Sequence, residues 1–316
     1  MTFRAVAFVL LAFLPGVADA QTVLALDPSA GELPVAVAID KVGNPWVSLQ
    51  PICEVRRFTP GWQESLRVQL VTPCTGRAGS SGLAVDATGV AYAAVIVRED
   101  VRGVYAIQPT GTFERLPGTE QMIFPNSLAF DHNNGTLYVT DMIGGAVWRI
   151  PQGGSAELWI QHPALTGIPI PGAGIPGGAN GIAVDHGHVL VSVSFLPRLV
   201  KIPINEDGSA GEPQILFDTG RFFGIGLFAL DDIALDVFGN IYASIVAGPP
   251  AVARLAADGT AITLLQPLLP GAVTSVAFGT GKGERKSLFA ATNPQYGGTA
   301  ASVVRLSAGA PGRPVP

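Results

Sequence analysis

The stretch Asn180-Gly181-Ile182-Ala183-Val184-Asp185-His186-Gly187-His188-Val189-Leu190-Val191-Ser192 decides how the rest of the chain reads. An Asn-Gly pair opens an apolar run, an Asp ends it, a Gly-containing turn follows, and a second apolar run returns. That order writes a β-hairpin. The opening phrase recurs as Val35-Ala36-Val37-Ala38-Ile39-Asp40, Ser81-Gly82-Leu83-Ala84-Val85-Asp86, Asn126-Ser127-Leu128-Ala129-Phe130-Asp131 and Asp231-Asp232-Ile233-Ala234-Leu235-Asp236. A degenerate last copy is Thr274-Ser275-Val276-Ala277-Phe278-Gly279. The copies stand roughly 43–54 residues apart, a spacing that suits propeller blades.

Each copy continues alike. A Gly- or Asn-bearing turn such as Asn133-Asn134-Gly135 leads to a second strand, Leu137-Tyr138-Val139-Thr140 in that copy. Third and fourth strands follow, as in Ala146–Ile150 and Glu157–Ile160. The reading is an all-β, six-bladed β-propeller with four-stranded blades, a single domain over residues 21–316. After Val303-Val304-Arg305-Leu306 the chain ends in a Pro- and Gly-rich tail that cannot be a strand. The last blade is therefore one strand short, and Thr22–Leu26 is one strand in surplus. The N-terminal strand is expected to close the ring and remove an exposed sheet edge. Composition agrees: 48% hydrophobic and 14% charged residues, with 39 Gly and 26 Pro, suit many short strands and tight turns. The formal charge of -5, spread without runs, gives no footprint for nucleic acid or an anionic membrane.

Residues 1–20 have the form of a signal peptide: Arg4, an apolar run from Ala5 to Leu14, and Ala18-Asp19-Ala20 as a cleavage site. The run is too short to span a bilayer, and no other segment reaches that length. The expectation is a secreted or periplasmic protein, cleaved near Ala20. In an oxidising compartment Cys53 and Cys74 become a disulfide pair, since both fall at the same end of a hairpin formed by Glu54–Phe58 and Leu66–Val71.

The first strand of a propeller blade lines the central channel, so the residue that opens each phrase sits at the channel mouth. Read round the ring, those positions are Val35, Ser81, Asn126, Asn180, Asp231 and Thr274. Three adjacent blades thus offer carboxamide or carboxylate oxygens. Oxygen donors select hard cations, Ca²⁺ first, with Mg²⁺ or Mn²⁺ as alternatives. Asp232 is a further candidate ligand. Singly, each of these residues also suits the start of a strand, bonded to nearby backbone. Three in equivalent places favour the metal site.

The phrases Asn180–Asp185 and Leu230–Asp236 resemble the blade-opening motifs of the gluconolactonase/senescence-marker-protein family, and Asp231-Asp232-Ile233 is similar to the paraoxonase version. The resemblance implies a six-bladed propeller that hydrolyses lactones and related esters with a divalent metal at the channel mouth. By position, Asn180 and Asp231 match family metal ligands and Asn126 matches the Asn of the preceding blade. The family's first-blade Glu is replaced by Val35; Glu32, three residues earlier, cannot reach by register. The paraoxonase histidine pair is not matched.

Asp231, or a water it orients, is the expected catalytic base. The expected substrate is a small lactone or ester, and the apolar stretches Pro163–Gly178 and Gly220–Phe228 suggest one of low polarity. A second reading is a non-catalytic propeller that binds a ligand or partner on its loop face. His186 and His188 fall in the turn at the far end of the inner strand, where a surface role is expected, as for His132. His162 is a candidate proton carrier. Thr140, Asp141, Ser192, Ser194, Ser244, Thr292 and Asn293, at the ends of second strands, are expected to line the pocket or support it. Trp46, Trp148 and Trp159 read as blade packing, and Asn134-Gly135-Thr136 is a glycosylation sequon. No Gly-x-Ser-x-Gly elbow, phosphate loop or Cys-x-x-Cys occurs.

Overall fold

The computed structural model describes residues 20–74, 79–170, 174–196, 198–218, 229–248, 250–260, 262–267 and 269–313. The signal-peptide reading (apart from Ala20) and the stretch Gly220–Phe228 lie outside them. The described strands form six four-stranded antiparallel sheets, each consecutive in the chain except the last. In that sheet Gln21–Ala25 pairs with Ser302–Ser307, with Gln21 opposite Arg305 and Ala25 opposite Ser302. The chain's two ends therefore share one blade, and the ring closes as expected. No helix among the described residues is long and apolar enough to cross a membrane.

The innermost strands are Pro34–Ile39, Ser80–Val85, Pro125–Phe130, Ala179–Asp185, Ala229–Leu235 and Gly271–Phe278, in blades 1 to 6. Apolar residues from facing sheets meet between the blades, so the core is divided into clusters. Val47, Leu49, Phe58, Phe289 and Val303 pack blade 6 on blade 1, with Val23 and Leu24 of the closing strand against them. Trp159 stacks edge-on against Tyr138 at 4.9 Å and donates through Nε1 to the Gly208 carbonyl. Trp46 is fully buried.

The Asp that ends most phrases has a local cause. Asp40, Asp86, Asp131 and Asp236 accept through Oδ1 from the backbone N–H two residues on, which fixes the turn to the second strand. Asp185 instead pairs with Arg313 at 2.5 Å; Arg313 also lines the channel below the mouth and donates to the Leu235 carbonyl through its backbone N–H. Cys53 and Cys74 are disulfide-bonded with Cα atoms 5.7 Å apart, as the hairpin reading required.

Candidate functional site at the channel mouth

Strict alternation along a strand would turn only every second side chain toward the axis. Here the inner strands break that rule where the site lies. In all six blades the register between first and second strand shifts at or beside the phrase's opening residue. The bulge re-aims that residue and the one after it. In blades 3, 4 and 5 the amide freed by the bulge donates to a hydroxyl of the second strand. Ser127 N meets Thr140 Oγ1 at 2.9 Å, Gly181 N meets Ser192 Oγ at 2.8 Å, and Asp232 N meets Ser244 Oγ at 2.8 Å.

Those hydroxyls also stitch neighbouring blades. Thr140 donates to the Asn180 carbonyl and Ser192 to the Asp231 carbonyl, each at 2.5 Å, and Ser194 donates to the Leu230 carbonyl at 2.6 Å. Thr140, Ser192 and Ser194, expected to line the pocket or support it, are thus buried supports that hold the backbone at or beside the next blade's ligand candidate. Asp141 is likewise internal, accepting from the amides of Ile123, Phe124 and Gly144.

The opening residues converge. A cavity of about 20 Å³, room for one water-sized group, is lined by Val35, Asn126, Asn180, Asp231 and Thr274, with Ala36, Gly82, Ser127, Asp232 and Ser275 beneath. Asn126 Nδ2 donates to Asn180 Oδ1 at 2.6 Å, and Asn180 Nδ2 donates to Ser194 Oγ at 2.6 Å. Asn180 also hydrogen-bonds the Asp231 carboxylate. Ser81 turns away to the Pro125 and Asn126 carbonyls.

The two consecutive aspartates have different surroundings. Asp232 accepts from Ser127 Oγ at 3.1 Å, Ser275 Oγ at 2.6 Å, Ile233 N at 3.0 Å and Val276 N at 3.4 Å. It joins blades 3, 5 and 6 across the axis, and it lines both the mouth cavity and the roughly 200 Å³ apolar channel below. Burial raises its pKa, and those four donors oppose the rise. Asp231 has no such set. Burial pushes its carboxyl well above the usual carboxylate range, the charge of Asp232 adds to the rise, and the Asn180 hydrogen bond opposes it. No ion pair with Arg, Lys or His reaches either aspartate among the described residues.

A divalent cation fits this donor set. Asp231 is a half-buried carboxylate without a cationic partner among the described residues, beside two amide groups whose oxygens can turn toward it, around a cavity of ionic size. Asp232 faces the same cavity with both oxygens already engaged. Glu32 does not replace the missing first-blade carboxylate: it pairs with the buried Arg56 at 2.7 Å and accepts from Asp27 N. Among the described residues no three His, Cys, Asp or Glu side chains cluster for a metal, since two of the three mouth donors are Asn.

His186 is 82% exposed and His188 is bonded to its backbone, both outside the mouth. His162 caps a short 3-10 turn, its Nδ1 accepting from Ala164 N, and lines a separate cavity with Arg198. The sequence reading did not single out Gln50 or Tyr296, whose side chains meet at 2.8 Å between blades 1 and 6. Their signal was the blade-6 second strand, Ser287–Gly298, at 12 residues the longest of the described strands.

No family model and no curated protein matches the chain. Solved structures do. A luciferin-regenerating enzyme superimposes with a TM-score of 0.70 at 14% identity, over 94% of this chain and 98% of that one. A gluconolactonase from Xanthomonas campestris gives 0.63 at 15%, over 93% and 99%. Regucalcin, a calcium-binding protein from Agrobacterium tumefaciens, gives 0.64 at 16%, over 92% and 95%. The chain therefore shares, along nearly its whole described length, the six-bladed propeller fold of the gluconolactonase, regucalcin and luciferin-regenerating enzyme structures.

Proposed function

We propose that this protein is a metal-assisted hydrolase of lactones or related esters, exported and acting at its channel mouth. The observation that carries the reading is Asp231: a half-buried carboxylate with no cationic partner among the described residues, set among Asn126 and Asn180 on adjacent blades. Asn126, Asn180 and Asp231 would hold the cation, Ca²⁺ first, with Mg²⁺ or Mn²⁺ as alternatives and Asp232 as support. Bound there, it supplies Lewis-acid polarisation of an ester carbonyl.

The chain's own residues do the rest. Asp231 Oδ accepts the proton of an attacking water, and Asn180 holds that carboxylate in place while Ser194 holds Asn180. Asp232 keeps the three blades in register beneath the reacting centre. Likeness to gluconolactonase and regucalcin structures supports the substrate class and the ion. The disulfide supports an oxidising compartment. Val35 supports a second reading, a propeller that binds a ligand without turning it over, because it leaves the site one carboxylate short.

A chelator-treated sample assayed on a panel of lactones and aryl esters, with Ca²⁺, Mg²⁺ and Mn²⁺ added back, tests the first reading. Hydrolysis that depends on metal and disappears in Asp231→Ala is the expected result. Hydrolysis surviving both treatments removes the metal mechanism. Inactivity on every substrate together with absent calcium binding favours the second reading.

A further inference from the structure

Around the mouth the polar groups described so far form an arc on blades 3, 4 and 5, and the blade-1 side carries Val35. Two further polar side chains, Gln50 and Tyr296, approach this side from outside the inner ring. Gln50 follows the second strand of blade 1, is 6% exposed, and its amide N–H donates to the Leu33 carbonyl, two residues before Val35. Tyr296 stands near the end of the long Ser287–Gly298 strand of blade 6, and its hydroxyl donates to Gln50 Oε1 at 2.8 Å. The Tyr296 side of the pair is 43% exposed.

Resting on the lactonase reading, we infer that Tyr296 and Gln50 form the substrate-recognising wall opposite Asp231, with the phenol hydroxyl turning from Gln50 to donate a hydrogen bond to an oxygen of the bound lactone or ester. Three features favour it. The exchange trades one neutral phenol hydrogen bond for another. The shielding of the phenol and the nearby charge of Asp231 both raise its pKa, against the Gln50 contact, so the hydroxyl stays protonated and remains a donor at neutral pH. The wall is also uncharged, as are Val35, Asn126, Asn180 and Thr274. A neutral hydrogen-bond donor on an uncharged wall suits the oxygen of an uncharged lactone or ester.

The test uses the full chain labelled with [¹³Cζ]tyrosine, the Tyr296 resonance being assigned from Tyr296→Phe. Adding δ-valerolactam, a ring amide that is not turned over, is expected to shift that resonance along a saturable curve. Tyr296→Phe should bind the lactam about tenfold more weakly, and Gln50→Leu should weaken it less while leaving the resonance responsive. On an active substrate Tyr296→Phe should lower kcat/KM by at least about tenfold with an unchanged thermal midpoint. A lactam-saturated protein whose Tyr296 resonance has not moved overturns the proposal, as does an unaltered kcat/KM in Tyr296→Phe. The two readings fail separately. Asp231-dependent hydrolysis indifferent to Tyr296 removes only the wall, whereas lactam binding through Tyr296 without any hydrolysis removes only the catalytic function.

Discussion

Asp231 and Asp232 are neighbours in sequence and both are half-buried, yet substituting them should move stability in opposite directions. Asp232 satisfies four donors from three blades. Replacing it by Ala strands the Ser127 and Ser275 hydroxyls and the Ile233 amide, at about 1–3 kcal/mol for each buried group left unmet. Ser275 can turn to the Val37 carbonyl, 3.5 Å away, which recovers part of the loss. Asp232→Ala is therefore expected to cost about 2–4 kcal/mol, and Asp232→Asn, which keeps one acceptor, about 1–2 kcal/mol. Asp231 has burial and a like charge against it, opposed by the hydrogen bond from Asn180. In excess chelator, Asp231→Asn should stabilise the fold by about 0.5–1 kcal/mol, because it removes a half-buried, partly screened charge and keeps an acceptor for Asn180. Adding Ca²⁺ should reverse the order: the parent gains about 2.7 kcal/mol at a concentration one hundred times its Kd, and Asp231→Asn gains nothing. The assay is guanidinium unfolding, read as a midpoint shift at unchanged slope. A chelated Asp231→Asn that loses as much stability as Asp232→Ala would refute the reasoning, since its carboxylate must then have a structural partner.

Three further outcomes are expected. Cys53→Ser/Cys74→Ser opens a loop with a sequence separation of 21 and should lower stability by about 3 kcal/mol, matched by reductant on the parent. Gly181→Ala drives a methyl into the Asp231 carbonyl and within 2.7 Å of the Asp232 Cα, so the inner strands of blades 4 and 5 must part. That should cost about 1–3 kcal/mol and weaken calcium binding, while Gly281→Ala, whose methyl meets nothing closer than 3.9 Å, should change neither. Burial holds the His132 imidazole below its ordinary value of 6.5, with Asp131 opposing and Arg313 adding to the shift. The unfolded chain then takes up its proton first, so the contribution of His132 is complete above that value and is lost as pH falls toward the folded pKa. Unfolding midpoints in Asp131-intact His132→Asn should decline less between neutral and mildly acidic pH than in the parent.

The blade count, the closing strand and the disulfide were legible because each rests on something periodic or countable: a recurring Asn/Asp-to-Asp phrase, a strand in surplus, two cysteines at one end of a hairpin. The mouth residues were legible as a column for the same reason. What the column hid was the bulge. With strict alternation, Asp232 cannot face the axis if Asp231 does, so its place was open in the sequence. The signal lay one residue further on, where the phrases read Ala36, Gly82, Ser127, Gly181, Asp232 and Ser275. Two serines and an aspartate in that second column are a hydrogen-bonded bridge, and the two glycines are where neighbouring backbones come too close for a side chain. Tyr296 and Gln50 belong to no column, which is why a repeat-based reading passes over them.

The two columns divide the work of the axis by depth. At the upper level each blade contributes one side chain, and neighbours that are left mutually unsatisfied make a site. At the lower level the same geometry gives satisfaction, since Asp232 takes up donors from blade 3 across the axis and from blade 6 beside it, and it lines both the mouth cavity and the channel below. A site open to ligand on one side and braced on the other can keep a destabilising carboxylate such as Asp231 without losing its ring. Replacing Val35 by Glu would add a second such carboxylate at the upper level. The arrangement requires that Val35→Glu tighten calcium binding while lowering stability in chelator, a paired change that calorimetric titration and unfolding can read on one variant. If both quantities rise together, the upper level is not held under electrostatic strain, and the separation of binding from bracing along the axis is wrong.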